Sequence, residues 1–406
     1  MAEDVSPPWD GVVASESIAT REGQRMLPQL KGVVWERSGA DVQIVYDFRD
    51  SFIVTDHDGS VEALLDLLRE GGRTPETLAR ALSDRCGRDV PVDDVLAAIE
   101  TFDGHGLLEN GARLGRLGDS ATGRYYSNLA FFESFATLAR SREDFQERLT
   151  RSHVLVLGTG GLNSNTIPHL CGLGVGRLTV TDRDVVEPRN FARQYLYRWD
   201  DVGKSKVERA AAWVRAFDPS IDVRSVEASI DGVADVLRLL DVAGPDVVLS
   251  GVDSPDGIDD WVNTACVVRG IPYVRAGIWV TQGIVWSVDP GNSACRACAR
   301  TMANQSRDAA SGDAAVAFTA ADLFRTKPRS NRGIGPVAGL LGSLSAFEVL
   351  RYLTRFEPPA YAGNPLEIDF AAGCAMRTTA WQRQDECECA NPQTNSSPRT
   401  EAIVGS

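Results

Sequence analysis

The chain has 406 residues, with 42 Lys and Arg against 56 Asp and Glu and a net charge of −14. At 43% hydrophobic and 24% charged residues it is too apolar for a disordered chain, and its acidic balance speaks against nucleic-acid binding, which needs a basic face. No apolar run approaches the ~20 residues of a bilayer span and MAEDVSPPWD is no secretory signal, so no membrane association and a cytoplasmic location are expected. Residues 1–25 are polar and aperiodic and read as a loose arm. From Gly32 the alternation in VVWERSGADVQIVYD and SFIVTD predicts strands, with Ser38-Gly39 as the hairpin signal. Three helical patterns follow: VEALLDLLREGG, TPETLARALSDRCG with Thr74 as N-cap and Pro75 behind it, and PVDDVLAAIETFDGHG. LLENG closes a small winged-helix-like unit over 1–115, and GARLGRLGDSATG reads as a linker, so that 116–150 is expected to hold linker and one helix.

From His153 the pattern changes. HVLVLG, RLTVTD, DVVLSGVD and PYVRAG are short β-branched runs that alternate with helical stretches such as NTIPHLCGLG and KSKVERAAAWVRAF. The fold class read from this is α/β: a doubly wound, Rossmann-like, mostly parallel sheet over 151–390, preceded by the winged-helix-like α+β module. Residues 299–334 break the rhythm and read as a long functional or disordered loop. GIGPVAGLLGSLSAFEVLRYL resumes as a helix apolar on most faces, PLEIDFAA as a strand, and 391–406 as a disordered tail.

HVLVLGTGGLNS sets Gly158, Gly160 and Gly161 between a strand and a helix, where free N–H groups and the helix dipole favour phosphate. Asn163 stands where the dinucleotide fingerprint has its third glycine, so a bare strand–helix turn is the competing reading. Asp182 ends the next strand, 24 residues after Gly158, the place of a ribose-binding carboxylate. DRDVVEPRNFARQ then supplies Asp184, Asn190, Arg193 and Gln194, DDVGKSKVE supplies Lys204 and Lys206, and VLSGVDS ends in Asp253. Arginine and lysine suit triphosphate charge and aspartate suits Mg²⁺, a set richer than hydride transfer requires.

GxGG, DxDxVExxNxxRQ, GKxK and the strand-end Asp together resemble the ThiF/MoeB superfamily of ubiquitin-activating-type adenylyltransferases, over about residues 120–390. Within it, SxxDxP and DDWVNTACVVRGIPYVRAG are similar to the MccB-type and PaaA-type peptide-modifying branches. The resemblance implies ATP as substrate, with Asp182 on the ribose, and Asn190, Arg193, Gln194 and Lys206 around the phosphates. It makes Arg193, Lys206 and Asp253 the catalytic set, with Asp253 holding Mg²⁺. A family segment that lends an Arg to the partner subunit's phosphates reads here Arg124-Tyr125-Tyr126-Ser127-Asn128, with Ser127 in place of that Arg. Such enzymes pair, so a homodimer is expected.

Two close cysteine pairs in an intracellular chain suggest a metal. Cys295 and Cys298 form CRAC, Cys387 and Cys389 form CEC, and the family's two CxxC pairs hold a structural Zn²⁺. The second pair is one residue short. Cys374 follows a strand and reads as a small packed hydrophobe, and Cys171 and Cys266 as core. No cysteine lies between Cys298 and Cys374, where thioester-forming relatives carry their nucleophile, so a thioester relay is disfavoured.

Residues 28–110 resemble the PqqD-like precursor-peptide recognition element, which would add a leader peptide as an extra strand. A dimerisation or packing module is the alternative. The leading function is thus ATP-dependent adenylation of a carboxylate or amide of a ribosomally made precursor peptide, followed by attack of an amine or amide nitrogen. The alternatives are a non-catalytic recruiter serving a separate cyclodehydratase, and sulfur-carrier activation.

Overall fold

The computed structural model describes residues 26–47, 50–309 and 333–390. The expected arm, most of the Ala/Ser/Asp-rich stretch and the tail lie outside these residues. Contacts divide the chain into two compact units, 1–145 and 146–406.

In the first unit β1 (Pro28–Leu30) pairs with β5 (Leu108–Asn110), while β2 (Val34–Ser38), β3 (Asp41–Asp47) and β4 (Asp50–Thr55) form an antiparallel sheet. Ser38 pairs with Asp41, so Gly39-Ala40 is a two-residue turn, and Gly39 sits at φ 65° as such turns require. Helices α1 (Ser60–Glu70), α2 (Pro75–Cys86) and α3 (Val92–Gly104) follow. The Asp56 carboxylate, ion-paired with Arg37, accepts the N–H groups of Val61 and Glu62 at the start of α1. Thr74 caps α2 by accepting the N–H of Thr77 at 3.4 Å. Val42 and Ile44 pack with Leu64, Leu65 and Leu68, Leu78 and Leu82, and Ile99 and Phe102, one apolar stripe from each helix. The stretch read as a linker carries structure instead: a 3₁₀ turn at Gly111–Arg113 and α4 (Gly118–Arg124), followed by α5 (Tyr126–Glu133). Glu143 accepts the N–H groups of Gly115, Arg116 and Leu117, and Asp144 pairs with Arg113 and Arg116, which gives this glycine-rich segment partners its composition does not advertise. The division falls within α6 (Arg142–Arg151).

The second unit is an eight-stranded, mostly parallel sheet flanked by helices, the doubly wound α/β fold. Its elements are β6 (His153–Leu157), α7 (Asn163–Leu173), β7 (Arg177–Asp182), α8 (Lys206–Phe217), β8 (Asp222–Glu227), α9 (Val233–Ala243), β9 (Val247–Ser250), α10 (Ile258–Arg269), β10 (Tyr273–Trp279), β11 (Gln282–Val288), α11 (Arg296–Ala309), α12 (Gly335–Thr354), β12 (Leu366–Asp369) and β13 (Ala375–Thr378). Strand order is β13-β12-β11-β10-β9-β6-β7-β8, parallel from β10 to β8 and antiparallel from β10 to β13. Every residue of β6 and β9 is buried, which is why those strands read as apolar runs broken only at an end, by His153 and by Ser250. Alternation sorts the faces. Tyr273, Trp286 and Val288 join Leu155, Leu157 and the inner sides of α9 and α10, whereas Ala276 and Val285 pack on Leu341 of α12.

The chain lays β6, β7 and β8 in one direction and then returns to place β9 on the other side of β6. The crevice at the carboxyl ends of β6 and β9 is therefore the topological switch point, the usual ligand position in such sheets. Two further expectations change. The helical pattern continues into the stretch read as loop from 299, as α11 runs to Ala309. Cys374 is exposed at φ 64° in the turn before β13, so it is no packed hydrophobe. Cys171 and Cys266 are buried core residues.

Candidate active site

The loop after β6 is held on three sides. Gly158 lies at φ 79°, donates its N–H to the Thr181 carbonyl at 2.8 Å, and has no room for a Cβ, which would come within 2.9 Å of Val252 Cγ1. Asp182, half-buried at the end of β7, accepts the Thr159 N–H (2.7 Å) and hydroxyl (2.8 Å) on Oδ2 and the Asp184 N–H (2.9 Å) on Oδ1. The buried Tyr197 hydroxyl donates to the Thr159 carbonyl at 2.6 Å, and burial pushes this phenol well above its ordinary pKa. Asn163 is fully buried in the first turn of α7 and donates to the carbonyls of Leu157 (3.0 Å) and Gly158 (2.7 Å).

The polar segment after β7 folds back over this loop. Pro188–Ala192 is a 3₁₀ turn whose buried Asn190 accepts the Glu187 N–H on Oδ1. The Arg193 side chain lies on Gly161, where a Cβ would meet its Nε at 2.9 Å, and the Gln194 amide lies over Gly160. Asn165 fixes the arrangement by donating to the carbonyls of both Gly161 and Arg193. Gln194 Oε1 and Ser250 Oγ are buried without a partner among the described residues. Burial draws the Arg193 guanidinium below its ordinary pKa, with Asp253 drawing it up and Arg189 pushing it further down. Arg193 and Asp253 thus share one electrostatic environment. Lys206, the buried first residue of α8, donates to Asp184 Oδ2 at 2.9 Å. Asp253 is exposed three residues past the end of β9.

Gly158, Gly160, Gly161, Asp182, Arg193 and Gln194 are therefore brought together around one loop, Asp184 with Lys206 joins through Asp182, and Asp253 directly follows Val252, which lies against Gly158. Lys204 is not drawn in: it is exposed, with Asp201 at 3.6 Å. Sequence reasoning missed Thr159, Tyr197 and Asn165, which act on the loop by hydrogen bonding. Nothing in RQYLYRW marks Tyr197 as a loop clamp. Two histidines are structural, with His153 bonded to Thr179 at 2.9 Å and His169 to Ser343 at 3.1 Å.

The two cysteine pairs converge. Cys295, Cys298, Cys387 and Cys389 have sulfurs all within 4.8 Å of one another, with separations of 4.0 Å (295–298), 3.6 Å (295–387) and 3.5 Å (298–389). Four thiolates ~2.3 Å from a tetrahedral Zn²⁺ would stand about 3.8 Å apart, so these residues fit the ion. The short CEC spacing suffices because Cys387 faces Cys295 while Cys389 faces Cys298. Burial pushes the Cys387 thiol up to about 11 and Cys389 higher still.

The ThiF family model matches residues 133–389, more than half of the chain. The SAMP-activating enzyme E1 of Haloferax volcanii is 41% identical over 157 residues, 38% of this chain and 55% of that protein. The chain thus spans about half the length of this curated relative. The molybdopterin-synthase adenylyltransferase of Escherichia coli is 29% identical over 247 residues, 60% of this chain and 89% of that one. Among solved structures, Escherichia coli MccB with ATP is similar in fold at 19% identity, with a TM-score of 0.67 over 90% of this chain and all of that one. No described helix is long and apolar enough to cross a membrane. With adenylyltransferases among its relatives and its match running from before β6 to the last cysteine pair, the chain belongs to the ThiF family.

Proposed function

We propose that this protein is an ATP-dependent adenylyltransferase acting on a ribosomally made precursor peptide, with AMP and pyrophosphate as products. The observation that carries the adenylation is the placement of Arg193. It is a half-buried guanidinium with no side-chain partner among the described residues, laid across Gly161 and within the field of Asp253. A cation drawn partly out of water is costly unless an anion meets it, and a triphosphate on the glycine loop is such an anion. Asp182 has one acceptor site left on Oδ1 for a ribose hydroxyl. Lys206 stands behind Asp184, and Asn190 and Gln194 line the same bend.

Asp253, exposed at the mouth of the switch point, offers carboxylate oxygens of the kind Mg²⁺ takes; the ion, when bound, neutralises charge on the phosphates. A peptide carboxylate or amide oxygen attacks the α-phosphorus, the bond to the β-phosphate breaks, and pyrophosphate leaves. A peptide nitrogen then attacks the activated carbon and AMP departs with the oxygen. Arg193 and Lys206 contribute by positioning and by fixed charge. The four cysteines would hold a structural Zn²⁺.

A peptide substrate is favoured by the first unit. MccB, a microcin C7 biosynthetic enzyme solved in complex with MccA, is similar in fold over about 90% of this chain, a span that takes in most of the first unit. The three-stranded sheet with three helices would serve as the PqqD-like leader clamp, and a homodimer would complete the assembly. Sulfur-carrier activation is the second reading, favoured by the sulfur carrier protein ThiS adenylyltransferase of Escherichia coli, 29% identical over 246 residues. ATP–pyrophosphate exchange with purified protein decides between them. Exchange stimulated by a precursor peptide supports the proposal, and exchange stimulated only by a sulfur-carrier protein overturns it.

A further inference from the structure

The residue that breaks the glycine fingerprint is the one most tightly built into the switch point. Asn163 is fully buried, and its amide nitrogen donates to two carbonyls at the exit of β6, Leu157 and Gly158. Those two acceptors fix the amide's orientation, because the oxygen cannot take the place of the nitrogen against them. Its Oδ1 is left buried with no partner among the described residues. An orphaned acceptor is a cost that a glycine here would not carry.

The space for this side chain comes from the next strand. Leu157 also accepts the N–H of Gly251, the residue just past β9, at 2.8 Å. A Cβ on Gly251 would lie 2.6 Å from Asn163 Nδ2, 2.7 Å from Cγ and 3.0 Å from Oδ1. Gly251 is not among the residues with positive φ, and the three atoms nearest to a Cβ there all belong to Asn163. The next residue, Val252, lies on Gly158, and the one after it is Asp253. The glycine loop and the Asp253 segment are thus interlocked at two adjacent points, Asn163 on Gly251 and Val252 on Gly158.

We propose that Asn163 and Gly251 are a complementary pair, and that Asn163 is a positioning residue that sets the path of Asp253 relative to the glycine loop. It replaces by hydrogen bonding the close packing that a third glycine gives elsewhere. This deepens the adenylation reading and rests on it for the role of Asp253, but the pairing itself does not.

A double-mutant cycle on the full chain tests it, with Asn163→Gly, Gly251→Ala and the double variant. Each is measured for melting temperature, ATP affinity, and kcat and Mg²⁺ requirement in pyrophosphate exchange. Gly251→Ala is expected to lower kcat by about tenfold or more and to raise the Mg²⁺ requirement, with a smaller change in ATP affinity. Asn163→Gly alone is also expected to lower kcat, because the side chain that spaces the two segments is gone, and combining it with Gly251→Ala restores most of the activity, because the new methyl group takes up part of the vacated space. A merely structural contact would lower the melting temperature of Gly251→Ala and leave kcat and the Mg²⁺ requirement of the folded enzyme unchanged, which overturns the positioning role. Additive effects in the double variant overturn the pair. If the wild-type protein shows no exchange with any peptide or carrier, the adenylation reading fails. The pair then stands or falls on coupling in melting temperature and ATP affinity alone.

Discussion

Asp182 holds the glycine loop and, in the proposed function, a ribose hydroxyl, and one substitution probes both. In Asp182→Asn the amide keeps its shape, and its oxygen is best spent on the two Thr159 donors that hold the glycine loop. Its NH₂ then faces the Asp184 N–H, donor against donor, where Oδ1 had accepted at 2.9 Å. Losing one hydrogen bond to a charged acceptor costs ~1.5–3 kcal/mol, and the two Thr159 bonds weaken when the acceptor becomes neutral. Asp182 is half-buried, so water recovers part of this. The net expectation is about 1.5–3 kcal/mol, or a rise of ~10- to 100-fold in the Kd for ATP. Calorimetric titration with ATP and with 2′,3′-dideoxy-ATP resolves the two tasks. The wild type should prefer ATP, because a ribose hydroxyl takes the site left on Oδ1, and the variant should lose that preference along with affinity. Equal affinity of the wild type for the two nucleotides would refute the ribose contact. Wild-type ATP affinity in Asp182→Asn would refute the whole chain of reasoning from Asp182 to the loop.

Asp253→Ala should lower the exchange rate by on the order of 10³-fold while peptide binding measured by fluorescence anisotropy stays at the wild-type value, and undiminished AMP release would reject its role. Elemental analysis should find one Zn²⁺ per chain, and Cys389→Ser should lose the metal together with several kcal/mol of stability, seen as an earlier melt; a metal-free, fully stable protein would reject the site. In the first unit burial holds Lys31 at about 8, against an ordinary 10.5, opposed by Glu109, Asp103 and Glu133 and reinforced by Arg142. Between these values the unfolded chain binds more protons than the folded one, so this group's contribution to stability should rise with pH across about 8 to 10.5. Melting of the wild type and of Lys31→Met over that range checks it, since the variant should lose this upward trend.

The sequence shows the central strands because burial on both faces leaves them few polar positions; β6 and β9 carry only His153 and Ser250, at their ends. The helix starts at Thr74-Pro75 and the Gly39 turn are legible because their local chemistry admits few alternatives. By the same logic the edge strands were not. In β13, AMRT, every side chain is exposed, and β8, DVRSVE, alternates only weakly, so neither carries a strand's apolar signature. The glycine loop, Asp182 and the Arg193 segment could be read because their residue types match one chemistry at one spacing. Their clamps could not, because a hydrogen bond from Tyr197 to Thr159, or from Asn165 to two carbonyls, depends on where the backbone brings them.

Asn163 shows how far a motif can mislead when it is read one residue at a time. Taken alone, an asparagine in place of the third glycine suggests a nucleotide loop drifting out of use, as a pure recruiter of leader peptides would allow. Here the space an asparagine needs is provided by Gly251, just past β9 and outside the positive-φ residues, where the atoms nearest to a Cβ all belong to Asn163. Two carbonyls at the loop's exit receive its amide, and Asp253 lies two residues beyond its partner. On the proposed pairing, a break in the fingerprint that is accommodated in this way keeps the loop in register with the Asp253 segment, as a site that brings nucleotide and acid together requires. The departure therefore favours turnover over recruitment.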